Sequence, residues 1–224
     1  MNLGFRIKEW LSVELDSDCR AVSSQLIPQH ILMHVPPHDT TKVGRGLLAK
    51  HVDVHIDTSP CQPWSRLSDS PHGFADPRSQ PFVAANRIYN QLCQINPHIK
   101  FLVENVQPHD SLQADQKRME DMWGCAFNTV NAMDLGSASS RPRNLASNIC
   151  DTASLVSARP SSRLTAPSLL ISGPYHCDRH IMRCIVASEH TKAPPEVVHN
   201  HTLARRRLLL SESEAFQGWP PNVT

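Results

Sequence analysis

The sequence lacks a surplus of charge of either sign. Its 224 residues include 22 Lys and Arg against 21 Asp and Glu, which leaves a formal net charge of +1. Because recognition of nucleic-acid phosphates usually requires a basic surface, binding of that kind would depend on local clusters such as Arg205–Arg207. Those three arginines are equally typical of the solvated start of a helix, and both interpretations remain open at this stage.

Aromatic residues, long apolar runs and a signal segment are also lacking. Aromatic residues make up 5% of the chain and hydrophobic residues 40%, whereas 18 residues are proline. Part of the chain is therefore expected to be irregular. No stretch approaches the ~20 apolar residues that a membrane span needs, and residues 1–16 contain no apolar core of signal length. We expect a soluble, intracellular protein without a membrane partner.

The cysteines lack the regular spacing of a disulfide framework. There are seven, an odd number, and they are widely scattered, which favours a reducing compartment. The segment HCDRHIMRC, residues 176–184, could face a metal ion across helical spacing. In a chain with 13 histidines, however, a chance cluster explains it better, and we predict no metal site.

Strand-like and helix-like patterns alternate along residues 3–149. Residues 3–15 predict a helix that leads into a strand with acidic residues at its end. Further strands are predicted over 30–35, 51–56, 101–106 and 127–133, and helices over 79–96 and 111–123. Because such alternation is typical of βαβ units, we predict a Rossmann-like α/β layer with a largely parallel sheet. Beyond it, residues 150–203 are predicted to be irregular, with a helix over 205–217.

Three segments with reactive or charged side chains follow predicted strands. Cys61 lies in SPCQPWS after the strand over 51–56, and Glu104 ends the strand over 101–106. Arg141 and Arg143 come after the strand over 127–133. The carboxyl ends of parallel strands gather at one edge of a sheet, where such folds bind their ligands. We therefore expect a thiol, a carboxylate and two guanidinium groups at that edge.

This combination suits methyl transfer to C5 of cytosine. C5 is a poor nucleophile until a thiolate adds at C6, which converts the ring into an enamine-like species. A carboxylic acid assists by holding N3 and the exocyclic amine, and arginines stabilise the charge that grows on O2. Each of the three segments thus has a part in one reaction.

Five segments resemble, in the same order, those of the C5-cytosine-specific DNA methyltransferase family. SPCQPWS around Cys61 resembles the P-C-Q nucleophile loop, and LVENV around Glu104 resembles the E-N-V strand end. SSRPR resembles the Q-x-R-x-R segment, with Ser139 where glutamine is usual. Residues 73–92 resemble the glycine, acidic residues and amphipathic helix of the family, and residues 207–220 its R-x-L-x-x-x-E and L-Q-G-F-P segments. The spacing is most similar to that of the eukaryotic de novo enzymes.

The resemblance implies roles for individual residues. It implies that Cys61 is the nucleophile, that Glu104 is the acid that holds the base, and that Arg141 and Arg143 stabilise charge on O2. It also implies S-adenosylmethionine as the cofactor, with Glu14 at its ribose. The remaining implied contacts are those of Asp39, near the adenine, and Pro60 with the cofactor, and those of Ser59, Ser65 and Asn105 with a DNA substrate.

Two glycine-containing segments of the family do not occur in the sequence. The family opens with a Gly-rich F-x-G-x-G loop that cradles the cofactor and closes with a G-N-S/A-V segment, and neither is present. We therefore expect a chain truncated at both ends, an incomplete fold without the first strand and the last segment, and weak cofactor binding by this chain alone. The expected division is a partial catalytic core over 1–149, a short irregular, target-recognition-like region over 150–203, and the start of a return to the core over 204–224.

The resemblance implies DNA (cytosine-5)-methyltransferase activity on a base flipped out of the duplex, and with it a location in the nucleus. A sister family that methylates tRNA also carries P-P-C-Q and E-N-V, but its C-F-T segment has no counterpart here. DNA is therefore the favoured substrate and tRNA the alternative. A non-catalytic remnant of the family that no longer binds the cofactor is a further alternative.

Overall fold

The computed structural model describes residues 6–65, 70–135, 137, 139–157, 175–176, 182–183 and 196–207. The chain divides into two compact units. The first comprises Met1–Ala126 with Ala146–Ile149, and the second comprises Phe127–Leu145 with Cys150–Thr224. Helices and strands occur in both, and the fold is mixed α/β, which confirms the predicted fold class.

The first unit alternates strands with helices along the chain. Its elements are β1 (Trp10–Ser12), α1 (Ser17–Leu26), β2 (Leu32–His34), α2 (Arg45–Leu48), β3 (Val54–Asp57), α3 (Gln80–Ile95), β4 (Lys100–Asn105) and α4 (Gln113–Trp123). Single turns of 3-10 helix cover Thr40–Lys42, Gly73–Ala75, Pro77–Ser79 and Asp110–Leu112.

β3, α3 and β4 form a parallel βαβ unit and confirm the central part of the sequence prediction. β3 pairs with β4 so that Asp57 lies opposite Val103. α3 carries Pro81 in its first turn, where the missing amide of proline needs no partner. The helix ends at Ile95, and Asn96 closes it by donating its amide to the Leu92 carbonyl. Its buried face is formed by Phe82, Ala84, Ala85, Asn86, Ile88 and Leu92.

β1, α1 and β2 form a second parallel unit, and here the sequence prediction was partly wrong. The described residues 6–9 are not helical, and β1 begins at Trp10. The apolar residues that suggested a helix have no core to cover, since Ile7 is 45% and Trp10 38% exposed. The helix that does form, α1, gave no periodic signal because none of its residues is buried. Asp16 caps it by accepting from the amides of Asp18 and Cys19.

The core of the first unit joins these parts. Val43, Ile88, Leu92 and Ile99 form a buried cluster, against which Val13, Leu47, Val52, Tyr89 and Cys93 pack. Aromatic rings extend it: Tyr89, Phe101 and Trp123 lie within 5.0–5.4 Å of one another, centroid to centroid. Beside β4, the Ser147 hydroxyl donates to the Phe101 carbonyl at 2.7 Å, and the Asn148 side chain accepts from the Phe101 amide at 2.7 Å.

The second unit is built mainly from antiparallel strands. Its elements are β5 (Asn128–Asn131), β6 (Ser139–Ser140), β7 (Pro142–Ser147, whose last two residues belong to the first unit), α5 (Thr152–Ser157), β8 (Tyr175–His176), β9 (Met182–Arg183), β10 (Glu196–His199) and β11 (Arg205–Arg207), with a 3-10 turn at Ala132–Leu135. β5 pairs with β7, and β10 with both β8 and β11, in antiparallel fashion. The expectation of a largely parallel sheet therefore fails in this unit.

One further expectation for the second unit was wrong, and another is tested only in part. Of residues 150–203, which were predicted to be irregular, the described ones include α5, β8, β9 and β10, and the rest of that range lies outside the described residues. Arg205–Arg207 were predicted to start a helix, yet they form the strand β11, because β10 supplies backbone partners that the sequence pattern cannot reveal. The rest of the predicted helix over 205–217 lies outside the described residues.

Candidate functional site

Cys61 lies in the turn that follows β3. It is half-buried and has a free thiol. Its carbonyl accepts from the Trp64 amide at 3.0 Å, which closes a tight turn through Gln62 and Pro63. Prolines on both sides of Cys61-Gln62 exclude regular structure there, and Trp64, fully buried at 0% exposure, anchors the turn in the core.

Glu104 and Asn105 end the neighbouring parallel strand. The pairing of Asp57 with Val103 places Glu104 one position beyond the last paired residue of β3, at the same edge of the sheet as Cys61. Glu104 is half-buried, whereas Val103 and Asn105 on the alternate face are buried. The structure thus brings the Cys61 and Glu104 segments to one sheet edge.

Ser59 and Asn105 join these two segments directly. The Asn105 side-chain amide donates to the Ser59 carbonyl at 3.4 Å, and its oxygen accepts from the Val106 amide at 2.8 Å. Asn105 is only 1% exposed. Both residues were predicted as substrate contacts, and in the structure they contact each other. Their role toward a substrate stays a prediction.

Asp57, the last residue of β3, supports the same turn. Its Oδ1 accepts from the Ser59 amide at 3.1 Å and from the Ser59 hydroxyl at 2.5 Å. Burial raises the pKa of Asp57 to about 7, and the charge of Glu104 adds to the rise, while the Ser59 hydrogen bonds oppose it. A carboxyl group that holds a proton near neutral pH therefore lies beside the predicted nucleophile segment.

Asp115 on α4 bonds to residues that follow Cys61 in the chain. Its Oδ2 accepts from the Trp64 indole nitrogen at 3.0 Å and from the Phe74 amide at 2.8 Å. The Gly73 amide donates to the Pro63 carbonyl at 2.8 Å. Gly73 has φ +54°, and a Cβ added there would lie 1.7 Å from the Asp115 carboxylate. Only glycine fits this close approach.

The predicted cofactor contacts lie after β1, β2 and β3. Glu14 is half-buried, and its Oε1 accepts from the Asp16 amide at 2.9 Å. A carboxylate has further lone pairs that suit ribose hydroxyls, so Glu14 at the end of a parallel strand fits the ribose of S-adenosylmethionine. Asp39 is already engaged by its own turn: Oδ1 accepts from Thr41 and Oδ2 pairs with Lys42 at 3.0 Å. Pro60 is exposed. All three roles stay predictions.

Arg141, Arg143 and Ser65 complete the predicted set. The arginines lie in the second unit, where the Arg141 amide donates to the Asn131 side chain at 2.8 Å and Arg143 pairs with Val130 across β5 and β7. Both therefore lie beside the carboxyl end of β5, the strand they were expected to follow. Ser65 is half-buried in the first unit. Their functions stay predictions.

Sequence reasoning missed Asp57 and Asp115. Asp57 was read as part of the loop after a strand, and only its burial and its bonds to Ser59 reveal it. Asp115 stands 51 positions from Trp64 along the chain, so no local pattern links them. The one available signal was an indole N–H in a turn that the core would bury, since a buried Trp nitrogen usually finds an acceptor.

No metal site and no membrane span emerge from the described residues. They include no group of three or more His, Cys, Asp or Glu side chains arranged to hold a metal ion. Of the HCDRHIMRC segment they cover only His176, Met182 and Arg183. None of the helices in the described parts combines the length and the apolar character that crossing a bilayer demands.

Two solved structures define the class of the fold. The S. pombe Dnmt2 methyltransferase superposes with a TM-score of 0.61 at 13% identity, covering 100% of this chain and 82% of that one. The Entamoeba histolytica methyltransferase EhMeth superposes with a TM-score of 0.66 at 12% identity, covering 96% and 79%. At such identities the likeness shows the fold, a Rossmann-like methyltransferase fold. No curated protein sequence matches the chain.

The family follows from the sequence match. Residues 2–149 match the family described as C-5 cytosine-specific DNA methylase, which is more than half of the 224 residues. The chain belongs to this family of C5-cytosine methyltransferases. The predicted family is thereby confirmed, whereas the particular similarity to the eukaryotic de novo enzymes and the division at residues 149 and 203 stay predictions.

Proposed function

We propose that the chain transfers a methyl group to C5 of cytosine in DNA and acts in the nucleus, on a base flipped out of the duplex. The observation that carries the proposal is the β3–β4 sheet edge. Cys61 and Glu104 follow neighbouring parallel strands, and the bond between Asn105 and Ser59 fixes their segments to each other. A nucleophile and an acid on adjacent strand ends suit a planar base placed between them.

In the proposed reaction, the Cys61 thiolate adds to C6 of the ring. Glu104 holds N3 and the exocyclic amine and supplies the proton that N3 takes up as the ring gains electrons. The ring then has enamine character, so C5 becomes nucleophilic. After methylation, solvent water takes the C5 proton, N3 returns its proton to Glu104, and the Cys61 thiolate leaves as the aromatic ring is restored. Arg141 and Arg143 are proposed to stabilise the charge on O2, and Ser65 to contact a backbone phosphate.

S-adenosylmethionine, when bound, supplies the electrophilic methyl group. Glu14 would hold its ribose from the end of β1, with Asp39 and Pro60 as further contacts. DNA is favoured over tRNA because the C-F-T segment typical of the sister family does not occur in the sequence.

Cys61→Ser is the test of this proposal. Two assays use the full chain: methyl transfer to duplex DNA, and release of tritium from [5-³H]cytosine in DNA without cofactor. Tritium release needs only reversible addition at C6, so it reports on Cys61 even if cofactor binding is weak. We expect the variant to lose roughly a thousandfold or more in both assays, because a serine hydroxyl is a far weaker nucleophile than a thiolate.

The matched control is Cys19→Ser. Because Cys19 is exposed on α1, this substitution should leave the rates of both reactions unchanged. DNA carrying 5-fluorocytosine should form a covalent adduct with the parent in the presence of cofactor, and none with Cys61→Ser. Glu104→Gln should slow both reactions while retaining DNA binding. Equal rates for Cys61→Ser and its parent would overturn the assignment. Methylation of tRNA but not of DNA would mean that tRNA is the substrate. Methylation of neither nucleic acid would favour the non-catalytic alternative.

A further inference from the structure

Asp57 is a buried carboxyl group that the proposed reaction does not use. It ends β3 with 6% of its surface exposed. Its Oδ2 is buried and has no hydrogen-bond partner among the described residues. Both hydrogen bonds of the Asp57 side chain are formed by Oδ1. Burial of a carboxyl group is unfavourable unless the group is hydrogen-bonded or its charge is removed. Asp57 is hydrogen-bonded through one oxygen only, which makes it a candidate for a specific role.

The hydrogen bonds of Asp57 converge on one residue. Oδ1 accepts from both the amide and the hydroxyl of Ser59, at 3.1 and 2.5 Å. On its other side, the Ser59 carbonyl accepts from Asn105 at 3.4 Å. Ser59 is therefore held by the end of β3 and by the end of β4 at the same time. Pro60, whose φ is fixed by its ring, transmits that hold to Cys61.

We infer that Asp57 is a positioning residue for Cys61, acting through Ser59. The inference rests on the proposed role of Cys61 as nucleophile. Asp57 keeps the Ser59-Pro60-Cys61 segment in one conformation, so that the thiol stays half-buried beside the Glu104 segment until a substrate reaches it. Without the bonds to Ser59, the segment opens more often and Cys61 becomes more accessible.

The charge state of Asp57 fits this role and sharpens its test. With the pKa of Asp57 raised to about 7 by burial and by Glu104, the group is largely protonated at pH 6. The segment is then held by an uncharged side chain. At this pH asparagine reproduces both the shape and the neutrality of the side chain, including an oxygen that accepts from Ser59, whereas alanine removes the acceptor.

The experiment measures how fast each cysteine reacts with N-ethylmaleimide at pH 6 in the full chain, by peptide mass spectrometry. Asp57→Ala should raise the rate at Cys61 about thirtyfold, the factor expected when two hydrogen bonds no longer hold the closed conformation. Asp57→Asn should stay within about twofold of the parent. Ser59→Ala removes the hydroxyl but keeps the amide that also donates to Asp57, so it should raise the rate about fivefold. The double variant should match Asp57→Ala, because that change already breaks both bonds.

Controls lie in the same molecule. Cys19 and Cys150 are exposed and should keep their rates in every variant. Asp53→Ala removes an exposed carboxylate just before β3 and should leave Cys61 unchanged. If Asp57→Ala unfolds the chain, the partly buried Cys93 will also react faster, and the comparison of Asp57→Asn with Ser59→Ala then decides. An unchanged Cys61 rate in Ser59→Ala, or additive effects in the double variant of a folded protein, would overturn the inference.

A second readout separates this inference from the proposed function. In the methylation assay, Asp57→Ala should lower kcat with KM for DNA within about twofold, and Asp57→Asn should restore kcat. A purely structural role would not give that restoration together with selective exposure of Cys61. If the alkylation pattern holds but the chain methylates nothing, the proposed function fails and the positioning of Cys61 stands.

Discussion

The two parallel strand pairs of the first unit end in different ways. At the end of β3 and β4, Asp57 bonds to Ser59 two positions onward, but two other side chains bond to partners far away in sequence: Asn105 reaches Ser59 across 46 positions and Asp115 reaches Trp64 across 51. At the end of β1 and β2, the carboxylates of Glu14, Asp16 and Asp39 accept hydrogen bonds from residues only two or three positions onward.

Burial follows the same division. Asp57, Trp64 and Asn105 are nearly or fully buried, whereas no residue of α1 is buried. Most polar groups in the interior of a protein find a partner there, and the bonds of Asn105 and Asp115 hold the β3–β4 end before any ligand arrives. The β1–β2 end is held by local hydrogen bonds, which bonds to water can replace. Chemistry that needs fixed geometry suits the former, and the following substitutions test whether the contrast in stability is real.

Gly73→Ala should have the largest effect on stability. The new Cβ would lie 1.7 Å from the Asp115 carboxylate at a residue with φ +54°, so the bonds of Asp115 to Trp64 and Phe74 must break. We expect a loss of roughly 3 kcal/mol or more in the free energy of unfolding, measured by urea denaturation. Gly124→Ala is the matched control, because Gly124 also has a positive φ, +68°, but nothing within 4 Å of the added carbon; it should lose about 1 kcal/mol. Equal losses would mean that the Asp115 anchor contributes nothing.

The pH dependence of stability should reveal two groups of β3 with opposing effects, the half-buried His55 and the buried Asp57. Burial lowers the pKa of His55 to about 4. Between pH 6.5 and 4 the unfolded chain therefore binds a proton at this residue that the folded chain does not bind. The free energy of unfolding falls by up to roughly 3 kcal/mol as the pH drops through this range. Asp57, with its pKa raised to about 7, acts in reverse: the unfolded chain ionises first, and stability falls by up to roughly 4 kcal/mol as the pH rises from 4 to 7.

In the wild-type protein the two effects oppose each other, so the free energy of unfolding should change little between pH 4.5 and 6.5, about the range in which both groups titrate. His55→Phe should become less stable as the pH rises through this range, and Asp57→Asn more stable. Urea denaturation at both limits measures the slopes, with His51→Gln, an exposed histidine, as the control that leaves the curve unchanged. If His55→Phe and Asp57→Asn have the same slope, the pKa values of the two groups are not moved in opposite directions by folding.

Asp16→Ala should have the smallest effect and define the β1–β2 end. It removes the cap of α1, in which the Asp16 side chain accepts from the amides of Asp18 and Cys19, and should lose about 1 kcal/mol. Asp18→Ala, in the first turn of the same helix, should lose only a few tenths of a kcal/mol, about the contribution of a charge near a helix start. A loss for Asp16→Ala as large as that for Gly73→Ala would remove the contrast between the two ends.

Elements with a buried, periodic face were predicted well from the sequence. α3 over Gln80–Ile95 and β4 over Lys100–Asn105 lie close to their predicted ranges, because each buries one set of side chains against the core. α1 and β11 were not predicted. α1 buries nothing, and β11 exists through its pairing with β10, a partner that local propensity cannot supply.

The sequence by itself determined the family and the order of its segments, and the strand-then-turn pattern that sets Cys61 and Glu104 at the ends of two strands. Tertiary structure alone decided how those ends are held. The bonds of Asp57 to Ser59, of Asn105 to Ser59 and of Asp115 to Trp64 depend on which polar groups the fold removes from water. Burial is a property of the packed chain, and the sequence does not show whether a given carboxylate will be solvated or buried.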